Sequence, residues 1–321
     1  MLSDPEVVAL VGTAYSSSAA SAATLSSLRA IPIISPGSSA ISLANKAQRP
    51  YFMRSIGSDA AQLTSMVRAC RDFGWQHVAV IGTDSTWGRE QISEFASSIA
   101  LLDTGLNVAA YVIHQLTASA AYSRVQLVRS LRSAWRTGVR VFILLSGYDD
   151  VAEVVEVANN EEMTTAGTVW FGRSVHDGLM SGASKLEGFI AVSAVIGSET
   201  EMRRTLDARW PNETTAYDSS VHGAYSASDG MPFYGSNPHA PIYWDVGARA
   251  PDRWGMYVYD TVRVLALALD NITRSGRSPF DGTTLLPQLL QTAMSGVTGQ
   301  LSFEPSSQDR TQEFGLFNLR S

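Results

Sequence analysis

The chain has 321 residues, 45% of them hydrophobic and 17% charged, and its formal net charge is −6 at pH 7. This composition suits about two globular domains with substantial cores and excludes a disordered chain. An acidic balance without a lysine- or arginine-rich run argues against a nucleic-acid partner. The single cysteine, Cys70, excludes a disulfide framework and a cysteine-based zinc site within the chain. We see no signal peptide and no apolar run near the ~20 residues of a membrane span, so the chain as given is expected to be soluble.

Two short apolar runs open the chain, and each ends in a cluster of small hydroxyl residues. The run at 7–11 is followed by Ser16, Ser17 and Ser18, and the run at 31–34 by Gly37, Ser38 and Ser39. The carboxyl ends of parallel strands meet at one edge of a sheet, where open α/β sheets bind small ligands. The pattern therefore predicts a small-molecule site without an obvious catalytic apparatus.

Strand-sized apolar runs then alternate with helix-period segments as far as residue 195. The further predicted strands are 78–81, 108–113, 139–145, 168–171 and 189–195. The predicted helical stripes are Leu63, Met66, Val67 and Cys70; Ile92, Phe95, Ile99 and Leu102; and Val151, Val154, Val155 and Ala158. Ser58 or Asp59 can cap the first of these helices, and Asp149 or Asp150 the third. Repeated β-α units predict a doubly wound α/β sheet covered on both faces.

The last third of the chain is less regular. Residues 198–253 are rich in Gly, Pro, Ser and aromatic residues and are predicted to form a long surface excursion. Sequons for N-glycosylation occur at Asn212 and Asn271. The tail, 299–321, alternates like two antiparallel strands. A strong helix is predicted over 254–270, with one face formed by Trp254, Tyr257, Val258, Thr261, Val262, Leu265 and Leu269.

The sequence offers no support for catalysis. Its five histidines lack metal-ligand spacing, no nucleophile–base pairing stands out, and no phosphate-binding glycine loop follows a strand. The acidic pairs at 149–150 and 161–162 read as helix-start and solvated charges. We therefore expect a binding protein rather than an enzyme, with no cofactor and no metal.

Several segments together carry a family resemblance. They are VVALVG at 7–12, IPIISPGSSAISLAN at 31–45, YFMRSIGSD at 51–59, FGWQHVAVIGTDSTWGREQISEF at 73–95, the Tyr259-Asp260 pair, residues 296–304, and Asn318. The pattern resembles the extracellular ligand-binding region of class C G-protein-coupled receptors, of the metabotropic glutamate and GABA-B type. The wider family includes type I periplasmic binding proteins. The resemblance covers nearly the whole chain, although 198–253 match poorly.

The resemblance implies two doubly wound, Rossmann-like lobes joined by three crossovers and closing on a ligand. Lobe 1 would comprise 1–56 plus 197–297, with the loop insertion at 198–253, and lobe 2 would comprise 57–196 plus 298–321. Family members carry about two β-α units before the strand at 7–11. We therefore expect lobe 1 to be truncated at its N-terminus and the chain to be unstable in isolation.

The resemblance also implies residues that bind the ligand in lobe 1. Ser16 matches a serine that binds an α-carboxylate, and with Ser17 it opens a helix whose free N–H groups attract anions. Ser39, flanked by Gly37 and Ser38, matches the residue that holds the α-amino and carboxyl groups. The alternatives are an ordinary N-cap for Ser16 and a strand-to-helix turn that simply prefers Ser and Gly for Ser39.

Three further positions would complete the site from lobe 2. Trp87 matches an aromatic that lies over the ligand, and Asp59 matches an acid that can face an amino group. Their alternatives are a hydrophobic anchor and a helix cap. Ser174 stands where amino-acid-binding members carry an aspartate for the ligand ammonium, while Arg173 adds positive charge. If Arg173 faces the cleft, it favours a carboxylate or another anion; it can equally be a solvated surface residue.

The favoured hypothesis is an extracellular sensing domain of a class C receptor-like membrane protein. It would bind an amino-acid-like or carboxylate ligand, signal by clamshell closure, and pair as a homo- or heterodimer through lobe 1. Its membrane domain would lie outside this chain, which would sit on the extracellular side of the plasma membrane. The alternatives are a soluble periplasmic solute-binding protein of a transporter and, third, an α/β enzyme.

Overall fold

The computed structural model describes residues 6–114, 120–173, 188–197, 200–209 and 253–318. A small parallel sheet lies in the first part of the chain, in the order β1-β2-β3. It contains β1 (Leu10–Val11), β2 (Ile33–Ser35) and β3 (Phe52–Arg54). Helix α1 (Ser16–Ser27) joins β1 to β2, and a short 3-10 helix (Ile41–Ala44) precedes β3. Both serine clusters therefore follow adjacent parallel strands.

A second sheet has six strands in the order β11-β8-β7-β6-β4-β5. Its strands are β4 (His77–Thr83), β5 (Asn107–His114), β6 (Val141–Leu145), β7 (Val169–Arg173), β8 (Ile190–Ala194) and β11 (Phe314–Asn318). All pairs are parallel except β11 with β8. The strand order reverses between β4 and β6, which is the point at which open α/β sheets form a ligand crevice.

Seven more helices and one hairpin complete the described fold. The helices are α2 (Asp59–Asp72), α3 (Thr86–Leu102), α4 (Ala120–Arg136), α5 (Tyr148–Asn160), α6 (Glu201–Arg209), α7 (Arg253–Arg274) and α8 (Gly282–Gln291). Strands β9 (Met294–Gly296) and β10 (Gly299–Leu301) form the antiparallel hairpin. Within the described ranges, no helix combines the length and apolarity needed to cross a membrane.

The doubly wound α/β prediction is confirmed, and its helical stripes lie where the periodicity placed them. Leu63, Met66, Val67 and Cys70 of α2 are fully buried against the second sheet, and burial raises the pKa of the Cys70 thiol to about 12. Val154 and Ala158 of α5 are buried on the opposite face. The division of the chain into lobes stays a prediction.

The predicted face of α7 was partly wrong. Trp254, Val258 and Val262 were expected to be covered, yet all three are exposed. The buried face includes the predicted Tyr257 and Thr261, and it also contains Met256, Asp260, Val264, Ala268 and Ile272. Two of these side chains are polar and one is small, so apolar periodicity alone pointed to a neighbouring stripe.

Two other expectations are corrected. The tail strands do not pair with each other, because β10 pairs with β9 and β11 joins the edge of the second sheet. Part of the predicted surface excursion is helix α6, which is stabilised locally. The Thr200 hydroxyl accepts the Arg203 N–H at 3.0 Å, and Arg203 pairs with Asp207 four residues on. The rest of the excursion, with Asn212, lies outside the described residues.

Candidate ligand-binding site

The two serine loops of the first sheet meet at its carboxyl edge. The Ser16 Oγ accepts the backbone N–H of Ala40 at 3.2 Å. The hydroxyls of Ser35 and Ser38 both donate to the carbonyl oxygen of Thr13, at 2.6 and 2.9 Å. These bonds cross from the end of β2 to the end of β1, as expected for neighbouring parallel strands.

Gly37 is needed for this close approach. A Cβ at position 37 would lie 2.8 Å from the carbonyl oxygen of Ala14, which is shorter than real Cβ contacts. Its N–H also faces the Ser35 Oγ at 3.3 Å. Gly37 is thus placed as a residue that lets the loops touch.

The predicted serines differ in their exposure. Ser38 is fully buried with its hydroxyl committed to Thr13, so its side chain holds the loop together. Ser16 and Ser39 are half-buried, and Ser17 is exposed. Tyr15, the N-cap of α1, provides no side-chain cap, so the N-cap side chain leaves the first-turn N–H groups beside Ser16 and Ser17 unbonded. This edge suits an anionic group of a ligand.

A buried arginine that the sequence did not reveal supports the second loop. Arg54 is 0% exposed, and its Nη1 donates to the carbonyl oxygens of Ser38 and Ala40, at 3.4 and 2.8 Å. Its Nε and Nη2 bind both carboxylate oxygens of Asp309, at 2.6 and 2.8 Å. This bidentate pair orients the guanidinium rigidly.

Asp59 connects the loop at Ser39, in the first sheet, with the second sheet. Its N–H donates to the carbonyl oxygen of Ser39 at 2.9 Å. Its carboxylate is 2% exposed and accepts the Trp87 Nε1 at 3.1 Å, besides forming an ion pair with Arg173. The cap of α2 is Ser58, whose Oγ accepts from the Ala61 N–H at 3.2 Å. Asp59 is therefore not the N-cap of α2, and its carboxylate is bonded to Trp87 and Arg173 instead.

Arg173 is held at the end of β7 by two glutamines. Its Nε donates to the Gln62 Oε1 at 3.0 Å and its Nη1 to the Gln91 Oε1 at 2.6 Å. The guanidinium also lies over the Trp87 ring, 5.1 Å from the centroid. The sequence reading missed both glutamines, although Gln62 and Gln91 stand three and four residues after Asp59 and Trp87, on the same helical faces.

A second buried polar group lies at the same edge of the sheet. The Thr83 hydroxyl donates to Asp150 Oδ2 at 2.6 Å, and His114 Nε2 lies 3.2 Å from the Ser146 Oγ. Asp150 lies in the first turn of α5, as predicted, but it is 3% exposed, so the expectation that its charge is solvated was wrong. Burial lowers the pKa of His114, and the charges of Asp150 and Glu153 partly oppose this shift.

The remaining predicted positions stand apart. Ser174 and Asn212 lie outside the described residues, and Asn271 is exposed on α7. The described parts of the chain bring together no three His, Cys, Asp or Glu residues that could hold a metal ion. The described constellation therefore consists of Ser16, Ser39, Asp59, Trp87 and Arg173, which hydrogen bonds and a ring contact link from one sheet to the other.

Comparison with solved structures identifies the fold. An ABC transporter substrate-binding protein from Desulfitobacterium hafniense superimposes with a TM-score of 0.74 at 14% identity, covering 100% of this chain and 80% of that one. A second structure described in the same words, in complex with Leu, gives a TM-score of 0.70. The fold is that of type I periplasmic substrate-binding proteins.

Sequence comparison identifies the family. The family model described as "receptor family ligand binding region" matches residues 1–321, so the chain belongs to that family. Metabotropic glutamate receptor-like protein E of Dictyostelium discoideum is 23% identical over 97% of this chain, and human taste receptor type 1 member 1 is 32% identical over 43%. The chain spans 35% and 16% of those proteins. These relatives are named as receptors, not as enzymes.

Proposed function

We propose that this chain is the extracellular sensing region of a class C receptor-like membrane protein and binds a small polar ligand between its two sheets. The observation that carries the proposal is the contact chain from Ser39 through Asp59 to Trp87. It links the serine loops of one sheet to the aromatic of the other. Open α/β sheets bind small molecules at such edges.

Signalling would follow from closure. A ligand that contacts Ser16 and Ser39 on one side and Trp87 on the other has more contacts when the lobes are closed. Differential affinity then shifts the population toward the closed state. A membrane domain beyond this chain, and pairing with a second copy or a related chain through lobe 1, would transmit that shift.

The ligand class proposed here is an amino acid or an organic acid. The α1 N-terminus and the Ser16 hydroxyl suit a carboxylate. The relatives include proteins named as glutamate receptor-like and taste receptors, and one structural neighbour was solved with Leu. Use of the exposed Asn271 as a glycosylation site fits the same extracellular placement.

A second candidate function has one observation in its favour. The TM-score of 0.74 over the whole chain with a transporter substrate-binding protein is what a soluble solute-binding protein of a transporter would give. The complete coding sequence separates the two, because membrane spans joined to this region support the receptor and neighbouring permease genes support the transporter.

Calorimetric titration with a panel of amino and organic acids tests the site. The double variant Ser16→Ala/Ser39→Ala removes both half-buried hydroxyls, and we expect at least tenfold weaker binding, about 1.4 kcal/mol. The matched control is Ser97→Ala, because the exposed Ser97 hydroxyl donates to the Ser93 carbonyl of its own helix and to no other group in the described part of the chain. Equal affinity of the double variant and the wild type would show that the site is placed wrongly.

A further inference from the structure

The one acid in the described constellation is buried and already bonded to three protein donors. The Oδ2 atom of Asp59 accepts from Trp87 Nε1 and from Gln91 Nε2, both at 3.1 Å. Its Oδ1 atom pairs with Arg173 Nη2. The Asp59 side chain is 2% exposed. A ligand ammonium would therefore have to displace protein donors to reach this carboxylate.

Displacing Arg173 would be costly. Its side chain is 13% exposed, and Gln62 and Gln91 both accept from its guanidinium. Separating one partner of such a mostly buried, hydrogen-bonded pair leaves an uncompensated charge, which is strongly unfavourable. A small ammonium group would supply fewer and less well-aligned hydrogen bonds than the planar guanidinium.

The other carboxylates at this edge are either paired or inaccessible. Asp84 pairs with Arg89 on the surface. Asp150 accepts from Thr83 through Oδ2, and although its Oδ1 has no partner among the described residues, Asp150 is 3% exposed, beneath the end of β4. Among the described residues, the edge thus has no acid that is both accessible and unpaired.

The same edge retains donors for an anion. Arg173 Nη1 carries two hydrogens, and among the described residues only Gln91 accepts a hydrogen bond from it. The uncapped first turn of α1, beside Ser16, supplies N–H groups from the other sheet. Donors on both sides and a neutralised acid favour a negatively charged ligand that lacks a positive group.

We propose that Arg173 is a specificity-determining residue that makes the site select carboxylic acids without a primary ammonium group, such as 2-oxo or dicarboxylic acids. The proposal rests on the proposed ligand-binding function of this edge. Arg173 would have two roles. Its pairing with Asp59 prevents that carboxylate from binding a ligand ammonium, and its remaining Nη1–H donates to the ligand anion.

Calorimetric titration with matched pairs tests this assignment, using 2-oxoglutarate against glutamate, pyruvate against alanine, and 4-methyl-2-oxopentanoate against leucine. Within each pair the ligands differ in an oxo group in place of the ammonium. For the wild type we expect the oxo acid of the best-binding pair to bind at least tenfold more tightly. Arg173→Gln should weaken that oxo acid at least tenfold and raise the relative affinity for the amino acid, because Asp59 then lacks its guanidinium partner.

Two controls sharpen the result. Arg89→Gln makes the same substitution at an exposed arginine two residues from Trp87 and should leave the preference unchanged. Arg173→Gln/Asp59→Asn should lose the amine preference gained by the single variant. If the wild type binds the amino acid as tightly as its oxo acid, the inference is overturned while the proposed function stands. If no member of either series binds, the proposed function fails and the inference with it.

Discussion

His114 illustrates how burial at the edge of a sheet tunes a single side chain. It is 6% exposed at the end of β5, and its Nε2 lies next to the Ser146 hydroxyl. Burial lowers its pKa more than the charges of Asp150 and Glu153 raise it. The imidazole is therefore harder to protonate in the folded protein than in the unfolded chain, where its pKa is ordinary.

This difference predicts acid sensitivity. Below about pH 6.5 the unfolded state binds the proton that folded His114 resists, so the free energy of unfolding falls as the pH drops from 7.5 to 5. His114→Gln should lessen that fall. His77→Gln, at an exposed histidine on β4, should keep it. Urea denaturation at each pH measures the three slopes, and equal slopes for His114→Gln and wild type would refute the assignment.

At the scale of elements, α7 anchors the β9–β10 turn through a polar side chain. Asp260 is 0% exposed, and its two oxygens accept the N–H groups of Val297 and Thr298 at 2.8 and 2.9 Å. The Thr298 hydroxyl also contacts the buried Arg310, at 2.6 Å. Arg310 in turn donates to the Ser55 carbonyl, so one carboxylate organises three separate chain segments.

Asp260→Asn should be strongly destabilising. The amide replaces a charged acceptor and presents N–H groups to backbone donors, so we expect a loss of about 2–3 kcal/mol in the free energy of unfolding. The control is Asp270→Asn on the same helix, where the ion pair with Arg274 is exposed and the midpoint should not change. Matching denaturation midpoints for the two variants would contradict the anchoring role.

For the whole molecule, the pair of Arg54 and Asp309 joins distant parts of the chain. Arg54 ends β3, and its guanidinium is buried between the Ser38–Ala40 backbone and the Asp309 carboxylate. A buried charge is tolerated only with such complete pairing. The pair thus couples global stability to the geometry of the candidate site.

Arg54→Met should lower the free energy of unfolding by about 3–5 kcal/mol, because Asp309 is left without its partner. Arg54→Met/Asp309→Leu should lose less than the sum of the two single variants. Arg132→Met, at a surface pair with Glu161, should cost about 0–1 kcal/mol. Urea denaturation measures all four, and strict additivity would show that the two side chains act independently.

Prediction from the sequence succeeded where helical periodicity, or the edge shared by parallel strands, determines the structure. The Leu63–Cys70 stripe of α2 follows from helical spacing, and the meeting of the Ser16 and Ser38 loops follows from parallel strands. It failed where a polar side chain is buried by a remote partner. The buried face of α7 includes the charged residue Asp260, which an apolar stripe does not predict. The residues near Arg54 in the sequence do not reveal that its partner lies 255 residues away.

That separation has a consequence for biosynthesis. The strands that carry the serine loops leave the ribosome before Asp309, which follows Arg54 by 255 residues. At translation rates of about 5–20 residues per second, the synthesis of Asp309 follows that of Arg54 by a time on the order of 10–50 s. The loop at Ser38–Ala40, which Arg54 supports, is thus synthesised well before its support is complete, so nascent chains that stall before Asp309 should need chaperone protection there.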